Sequence, residues 1–258
     1  MSLTRHQTDF VVMIATVALG IFISYTLLVP PLVGGFLCLF IPSLYLIVRE
    51  RKNLAKIGWA VILFGAVFGF IFDFIVTFNR GWIVSRLVFN YRLFGFYPLI
   101  DDVVGFMLMT LFVVVFYEHF LDDEKRPVVS KDIMYGFIPS CIVLVLLLVV
   151  YKINPEWLQI SNVYLVTGTA AIMFPLIVGW KNARLRYKML AVAAFFFCVW
   201  FIIELVAVAQ NDWIFPGEYI GIVSIGRLTF PFEELFFWMM CYAATVVAYY
   251  EYLIDDRR

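Results

Sequence analysis

The sequence predicts an all-α integral membrane protein of about eight transmembrane helices, arranged as two parallel four-helix repeats. Three observations carry this. Apolar residues make up 64% of the 258 residues and charged ones only 15%, against about half and about a quarter in soluble domains. Eight apolar runs approach the roughly 20 residues that cross a bilayer as a helix. Finally, the chain matches itself at an offset of 131 residues.

The runs are 10–28, 32–48, 57–78, 99–120, 133–151, 163–180, 189–210 and 232–253. The first leads straight into Pro30-Pro31 with no small-residue cleavage site, so it reads as a retained span and not a signal peptide. Orientation follows from the basic residues. With the N-terminus inside, segments 1–9, 49–56, 121–132, 181–188 and 254–258 hold fourteen of the nineteen Lys and Arg residues. The other five are Arg80, Arg86, Arg92, Lys152 and Arg227. This predicts a multi-pass cell-membrane protein with both termini cytoplasmic.

The repeat shows best in the outer loops. FDFIVTFNRGWIV (72–84) aligns with IELVAVAQNDWIF (203–215), so Asp73 falls on Glu204 and Trp82 on Trp213. The same offset lays 32–48 on 163–179. Further on, YPLIDDVVGF (97–106) answers FPFEELFFW (230–238), with a one-residue difference inside the motif. The repeats are 1–128 and 129–258. With four spans each they share one orientation, as parallel repeats about an axis along the membrane normal do. Each presents an acid near the end of its third span, a loop of roughly twenty residues rich in aromatics and glycine, and a proline with an acidic pair opening its fourth span. Loops of this length are functional or disordered as a rule, and these are too aromatic to be disordered. They are expected against the bilayer interface.

Acids after a proline also suit an ordinary helix start, where they complement the dipole by about 0.3–1 kcal/mol each. That reading competes with the catalytic one at Asp101, Asp102, Glu233 and Glu234, more strongly for the aspartates than for the glutamates. It fails for Asp73 and Glu204, which lie at the disfavoured C-terminal ends of their helices. Trp82 and Trp213 have a competing role as interfacial belt residues. Glu118 and Glu251, near the inner ends, are expected to be solvated.

The pattern of an aspartate, a downstream tryptophan, then proline and paired acids opening an aromatic span, present twice, resembles the flavin-independent lycopene cyclases. These small membrane enzymes of carotenoid biosynthesis occur as two subunits or as one fused chain. The likeness covers roughly 57–120 and 188–253, clearest as Trp213 with PFEELFFW, and includes FYEHF at 116–120. It departs where Asp101-Asp102 replaces the family's paired glutamates and where eight spans exceed six or seven. The resemblance implies cyclisation of a lycopene-like polyene, with membrane lipid as the medium.

The residues fit that chemistry on their own terms. Ring closure of a ψ-end group needs a proton donor, a carboxylate to take a different proton, and aromatic faces for the intervening tertiary cation. Burial in a low-dielectric site favours a neutral acid, and a second carboxylate nearby favours it further. The candidate catalytic residues are Asp73, Asp101, Asp102, Glu204, Glu233 and Glu234, with the acid expected in the second half. Trp82, Trp213, Phe236 and Phe237 are the candidate substrate-binding aromatics; cation–π attraction contributes about 2 kcal/mol when desolvated.

No flavin or nicotinamide is expected, because no G-x-G-x-x-G follows a predicted strand. No metal is expected either. His6 and His119 lie far apart in sequence and form no H-E-x-x-H. Cys38, Cys141, Cys198 and Cys241 sit in apolar runs without C-x-x-C spacing, as small buried hydrophobes. Zero net charge argues against a nucleic-acid partner, and a homo-oligomer is compatible with the sequence.

The competing function is a membrane transporter for a small or lipophilic substrate, also built from parallel repeats. The crowding of acids at one end, away from the span centres, disfavours it. An E-E-x-x-x-R prenyl-protein protease helix would need arginine where Trp238 stands. A retinal protein would need a lysine in the last helices, and none occurs between 189 and 254.

Overall fold

The computed structural model describes residues 4–49, 53–122 and 128–255. Of the basic residues that set the predicted orientation, Arg51, Lys52, Lys125, Arg126, Arg257 and Arg258 lie outside these ranges. Among the described residues, seven helices are long and apolar enough to cross a membrane: α1 (Arg5–Leu27), α2 (Pro31–Arg49), α3 (Leu54–Phe78), α4 (Ile100–Phe120), α5 (Ile133–Ile153), α6 (Val163–Lys181) and α7 (Ala183–Ala209). The last helical stretch, α8, joins Glu234–Cys241 to Tyr242–Leu253. The chain is a predominantly helical membrane protein.

Local chemistry sets where the helices begin and end. Thr4 caps α1 in a capping box with Gln7, which satisfies two otherwise orphaned N–H groups. The helix stops at Leu28, whose φ of 51° is left-handed, and Pro30-Pro31 prevents its continuation. Pro31 then opens α2, where a missing N–H costs nothing. Asp101 and Asp102 occupy the first turn of α4. Stretches of π-helix interrupt α2 at Phe36–Phe40, α3 at Val61–Phe68 and α8 at Glu234–Cys241. Such widened turns are frequent at functional sites.

Packing is closest between α3 and α4. A Cβ on Gly65 would lie 2.7 Å from the Met107 Cα, and one on Gly69 would lie 2.7 Å from the Phe106 Cβ. These two glycines, four residues apart on one face, let the backbones approach as small residues do in membrane helices. Lipid supplies no hydrophobic drive between helices, so close contact of this kind is what holds them. The main core runs along α4, α7 and α8 through Phe112, Phe196, Val247 and Tyr250, all buried.

The loops carry structure that the helical reading did not include. Strand β1 (Ile83–Val84) pairs antiparallel with β2 (Trp213–Ile214), so that Ile83 faces Ile214. Strands β3 (Ile222–Ile225) and β4 (Leu228–Pro231) form a hairpin turned by Gly226 at φ 62°. The first pairing joins one long loop to the other across the mouth of the bundle. Alternating polar and apolar residues mark these strands too faintly for the pattern to show in two- and four-residue pieces.

Candidate active site

The aligned acids and tryptophans meet. The Trp82 indole N–H donates to Asp73 Oδ1 at 3.0 Å, and the Trp213 N–H donates to Glu204 Oε1 at 2.8 Å. Both pairs span nine residues, one turn of loop beyond a helix end. Thr77 adds a second donor to Asp73 at 3.0 Å. Asp73 and Glu204 are buried, so the indole donors offset part of the cost of placing an acid at a helix C-terminus. The tryptophans are thereby held beside the acids and are not free belt residues.

The acidic pairs divide. Asp101 accepts the backbone N–H of Val88 at 2.6 Å and of Phe89 at 2.9 Å. Glu233 accepts the N–H of Ile220 at 2.7 Å. In each pair, then, the first acid pins its own aromatic loop to the start of its helix. The second acids, Asp102 and Glu234, line a cavity of about 200 Å³ together with Asp73 and Glu204. Asp101 also borders this space, whereas Glu233 does not.

Helix α1, the α2 start, α4 and α7 wall the cavity with Ile21, Leu32, Leu39, Phe106, Met109 and Ile203. Trp82, Trp213, Trp200 and Trp238 face it as well. The Phe106 and Trp238 rings meet edge-on at 5.5 Å. Six carboxyl groups line the space (the sixth is Asp212), and among the described residues no Lys, Arg or His does.

Phe236 and Phe237 lie outside the lining. Phe236 stacks on Phe232 at 6.1 Å. Phe237 is buried against Gly168 of α6, where a Cβ would meet its ring at 2.4 Å. The aromatics of α4 and α8 that line the cavity are Phe106 and Trp238.

Several site residues have no motif to announce them. The Tyr164 hydroxyl, from α6, donates to Glu234 Oε2. Arg86 binds Asp212 through Nε at 2.5 Å and reaches the Leu28 and Val29 carbonyls at 2.7 and 3.2 Å. Gln210 donates to the Ser24 and Tyr25 carbonyls, both at 3.1 Å. Together they lash the α1–α2 turn over the cavity. Asn79, at the position matching Gln210, holds the α5–α6 connection instead, through the Leu158 carbonyl at 2.9 Å and the Ile160 N–H at 2.7 Å. That match at offset 131 was a usable sequence signal.

Two loop groups are perturbed. Burial pushes the Asp212 carboxyl above its usual range even though Arg86 beside it pulls the other way. Burial pushes the Tyr219 hydroxyl up to about 12, so it stays protonated and donates to the Gly81 carbonyl.

At the opposite end of the bundle, Glu118 and Glu251 are buried, not solvated. The reason is a pair of buried lysines. Lys56 contacts Asp255 and, at 3.7 Å, Glu118. Lys188 lies 3.5 Å from both Glu251 and Asp122. Tyr250 donates to Glu118, and Lys188 donates to the Tyr117 oxygen at 2.9 Å. Oxygens of Asp122, Glu251 and Asp255 fall within 4.8 Å of one another, a cluster to which the two lysines supply positive charge. His6 and His119, remote in sequence, have ring centroids 5.2 Å apart.

Comparison with known protein families, curated sequences and solved structures finds no match.

Proposed function

We propose that this chain is a membrane carotenoid cyclase, an isomerase that closes the end groups of a lycopene-like polyene into rings by proton-initiated, non-redox cyclisation. The observation that carries the proposal is the convergence of Asp73, Asp102, Glu204 and Glu234 on one cavity walled by apolar and aromatic side chains. Proton transfer to an alkene requires an acid within about 2.6–3.2 Å of its target. It also requires surroundings that neither quench the cation with water nor pair it wrongly. These four carboxyls, in a lining that among the described residues holds no Lys, Arg or His, are set among indole and phenyl faces that suit those conditions. The four tryptophans stabilise the tertiary cation through their ring faces, by about 2 kcal/mol each when desolvated.

The proposal includes the architecture. Eight spans form two parallel repeats, 1–128 and 129–258, with both termini cytoplasmic in the cell membrane. Three features support this. The Trp–acid bonds recur at offset 131, the loop-pinning bonds of Asp101 and Glu233 recur at offset 132, and Ile83 pairs with its own counterpart Ile214. An axis along the bundle through that pairing would relate the halves. The polyene partner is dissolved in the bilayer, and no flavin, nicotinamide, metal or nucleic acid takes part.

The test is expression in a bacterium that accumulates lycopene, followed by pigment extraction. Conversion of lycopene to a monocyclic or bicyclic carotene is expected. Unchanged lycopene, with the protein folded in the membrane, would overturn the proposal and leave the transporter reading.

A further inference from the structure

The two cavity acids that match in sequence differ in their surroundings. Glu234 accepts a hydrogen bond from Tyr164, whose side chain is 1% exposed. The Tyr164 ring is itself wedged edge-on against Trp82, with centroids 5.4 Å apart, and against Phe72 at 6.2 Å. The hydroxyl therefore has one orientation and one partner. Asp102 has no hydrogen-bond partner among the described residues. No second tyrosine exists to hold it, because the position matching Tyr164 at offset 131 is Val33. One helical turn along α4 from Asp102, Gly105 borders the cavity with open space around its missing Cβ. Asp102 thus faces free volume, while Glu234 is held.

Resting on the cyclase reading, we propose that Tyr164 is a positioning residue that sets Glu234 as the proton acceptor and leaves Asp102 as the proton donor. A hydroxyl that donates to a carboxyl oxygen needs that oxygen as an acceptor, and it fixes the second oxygen in space. A donor must instead carry its own O–H toward substrate, which a carboxyl with no committed partner does.

The steps balance. The Asp102 O–H bond breaks, and its proton forms a C–H bond at the terminal alkene, leaving a tertiary cation. The neighbouring alkene's electron pair closes the ring. A ring C–H bond then breaks, its electrons become the ring double bond, and its proton passes to the free oxygen of Glu234. Before the next turnover Glu234 gives its proton to water and Asp102 takes one from it, so the proton that opens each ring closure comes from solvent. No oxidant, reductant or co-reactant is consumed. This assignment reverses the expectation that the second half supplies the acid.

The experiment uses the full chain in detergent or liposomes with lycopene as the probe, and follows substrate loss, product identity, and kcat and KM. Asp102→Asn should stop substrate consumption, a loss on the order of 10²–10⁴-fold. Glu234→Gln is isosteric and keeps the Tyr164 contact, so it tests the acceptor role in a folded protein. It should still consume lycopene but release it with a displaced double bond or as a hydrated ring. Tyr164→Phe should lower kcat about tenfold or more with KM unchanged, and should yield part of the same altered product. A merely structural role for Tyr164 would move neither the product ratio nor kcat apart from KM. Wild-type product ratio and kcat in Tyr164→Phe would overturn the positioning role. Altered product from Asp102→Asn with no consumption by Glu234→Gln would reverse donor and acceptor. Wild-type protein inert toward lycopene would remove the cyclase reading itself, a result separate from either.

Discussion

A tryptophan N–H bonded to a buried acid, nine residues away, occurs twice in this chain, and it explains why an acid can persist at a helix C-terminus. Each indole offers a single donor and no acceptor, so it can only serve the carboxyl. Loss of a hydrogen bond to a charged or chargeable group costs about 1.5–3 kcal/mol, or about 10- to 100-fold in rate if it acts in the transition state. Trp213→Phe keeps an aromatic face, though a smaller one, and removes the donor. It is expected to lower turnover by that factor while leaving the amount of folded protein unchanged; turnover equal to wild type would show that the bond is idle. Chain length gives a second prediction at this scale. Glu234→Asp withdraws its carboxyl about 1.5 Å from Tyr164, whereas Asp102→Glu extends a carboxyl into open cavity. Turnover measured at matched expression should fall far more in the first variant, and equal losses would mean that the halves share the work symmetrically.

Among the helices, glycine decides both the packing and the free space. Gly65 and Gly69 permit the α3–α4 contact, and a leucine at Gly65 would drive a Cβ to 2.7 Å from the Met107 backbone. Overpacking costs about 1–3 kcal/mol, so Gly65→Leu should lower the thermal midpoint or the yield of monodisperse protein in detergent. Gly105 is the contrasting case, since its Cβ would meet nothing within 4 Å and it borders the cavity. Gly105→Phe should therefore leave thermal stability at the wild-type level and abolish turnover by filling the site. Wild-type turnover in this variant would place the chemistry elsewhere. Helices long and apolar enough to span were legible in the sequence because hydropathy is a local property of each run. The strands in the loops were not, because pairing Ile83 with Ile214 needs two segments 131 residues apart to meet.

The molecule as a whole gathers Asp73, Asp101, Asp102, Glu204 and Glu234 into one space, and how far that was legible varied from residue to residue. Asp73, Glu204, Trp82 and Trp213 could be paired from their spacing, since each partner sits at the same offset in the other half. The division of labour inside Asp101-Asp102 and Glu233-Glu234 could not be read, because neighbouring acids on a helix start differ only in the direction they face. Tyr164 was invisible for another reason: its role depends on α6 packing beside α8, and its counterpart Val33 carries no hydroxyl. Phe236 and Phe237 belong to the same motif as Glu234, yet neither lines the cavity, because membership of a motif does not fix which way a side chain faces. At the far end, Glu118 and Glu251 looked like solvated termini until Lys56 and Lys188 were seen to be buried with them.

The central claim is that these carboxyls deliver and remove protons without redox chemistry. Its most direct test is purified protein in cofactor-free liposomes containing lycopene, prepared in deuterated water, with the product analysed by mass. The account predicts a carotene isomeric with lycopene apart from one retained deuterium per ring formed. A requirement for reduced flavin or nicotinamide, or product that carries no deuterium, would contradict it.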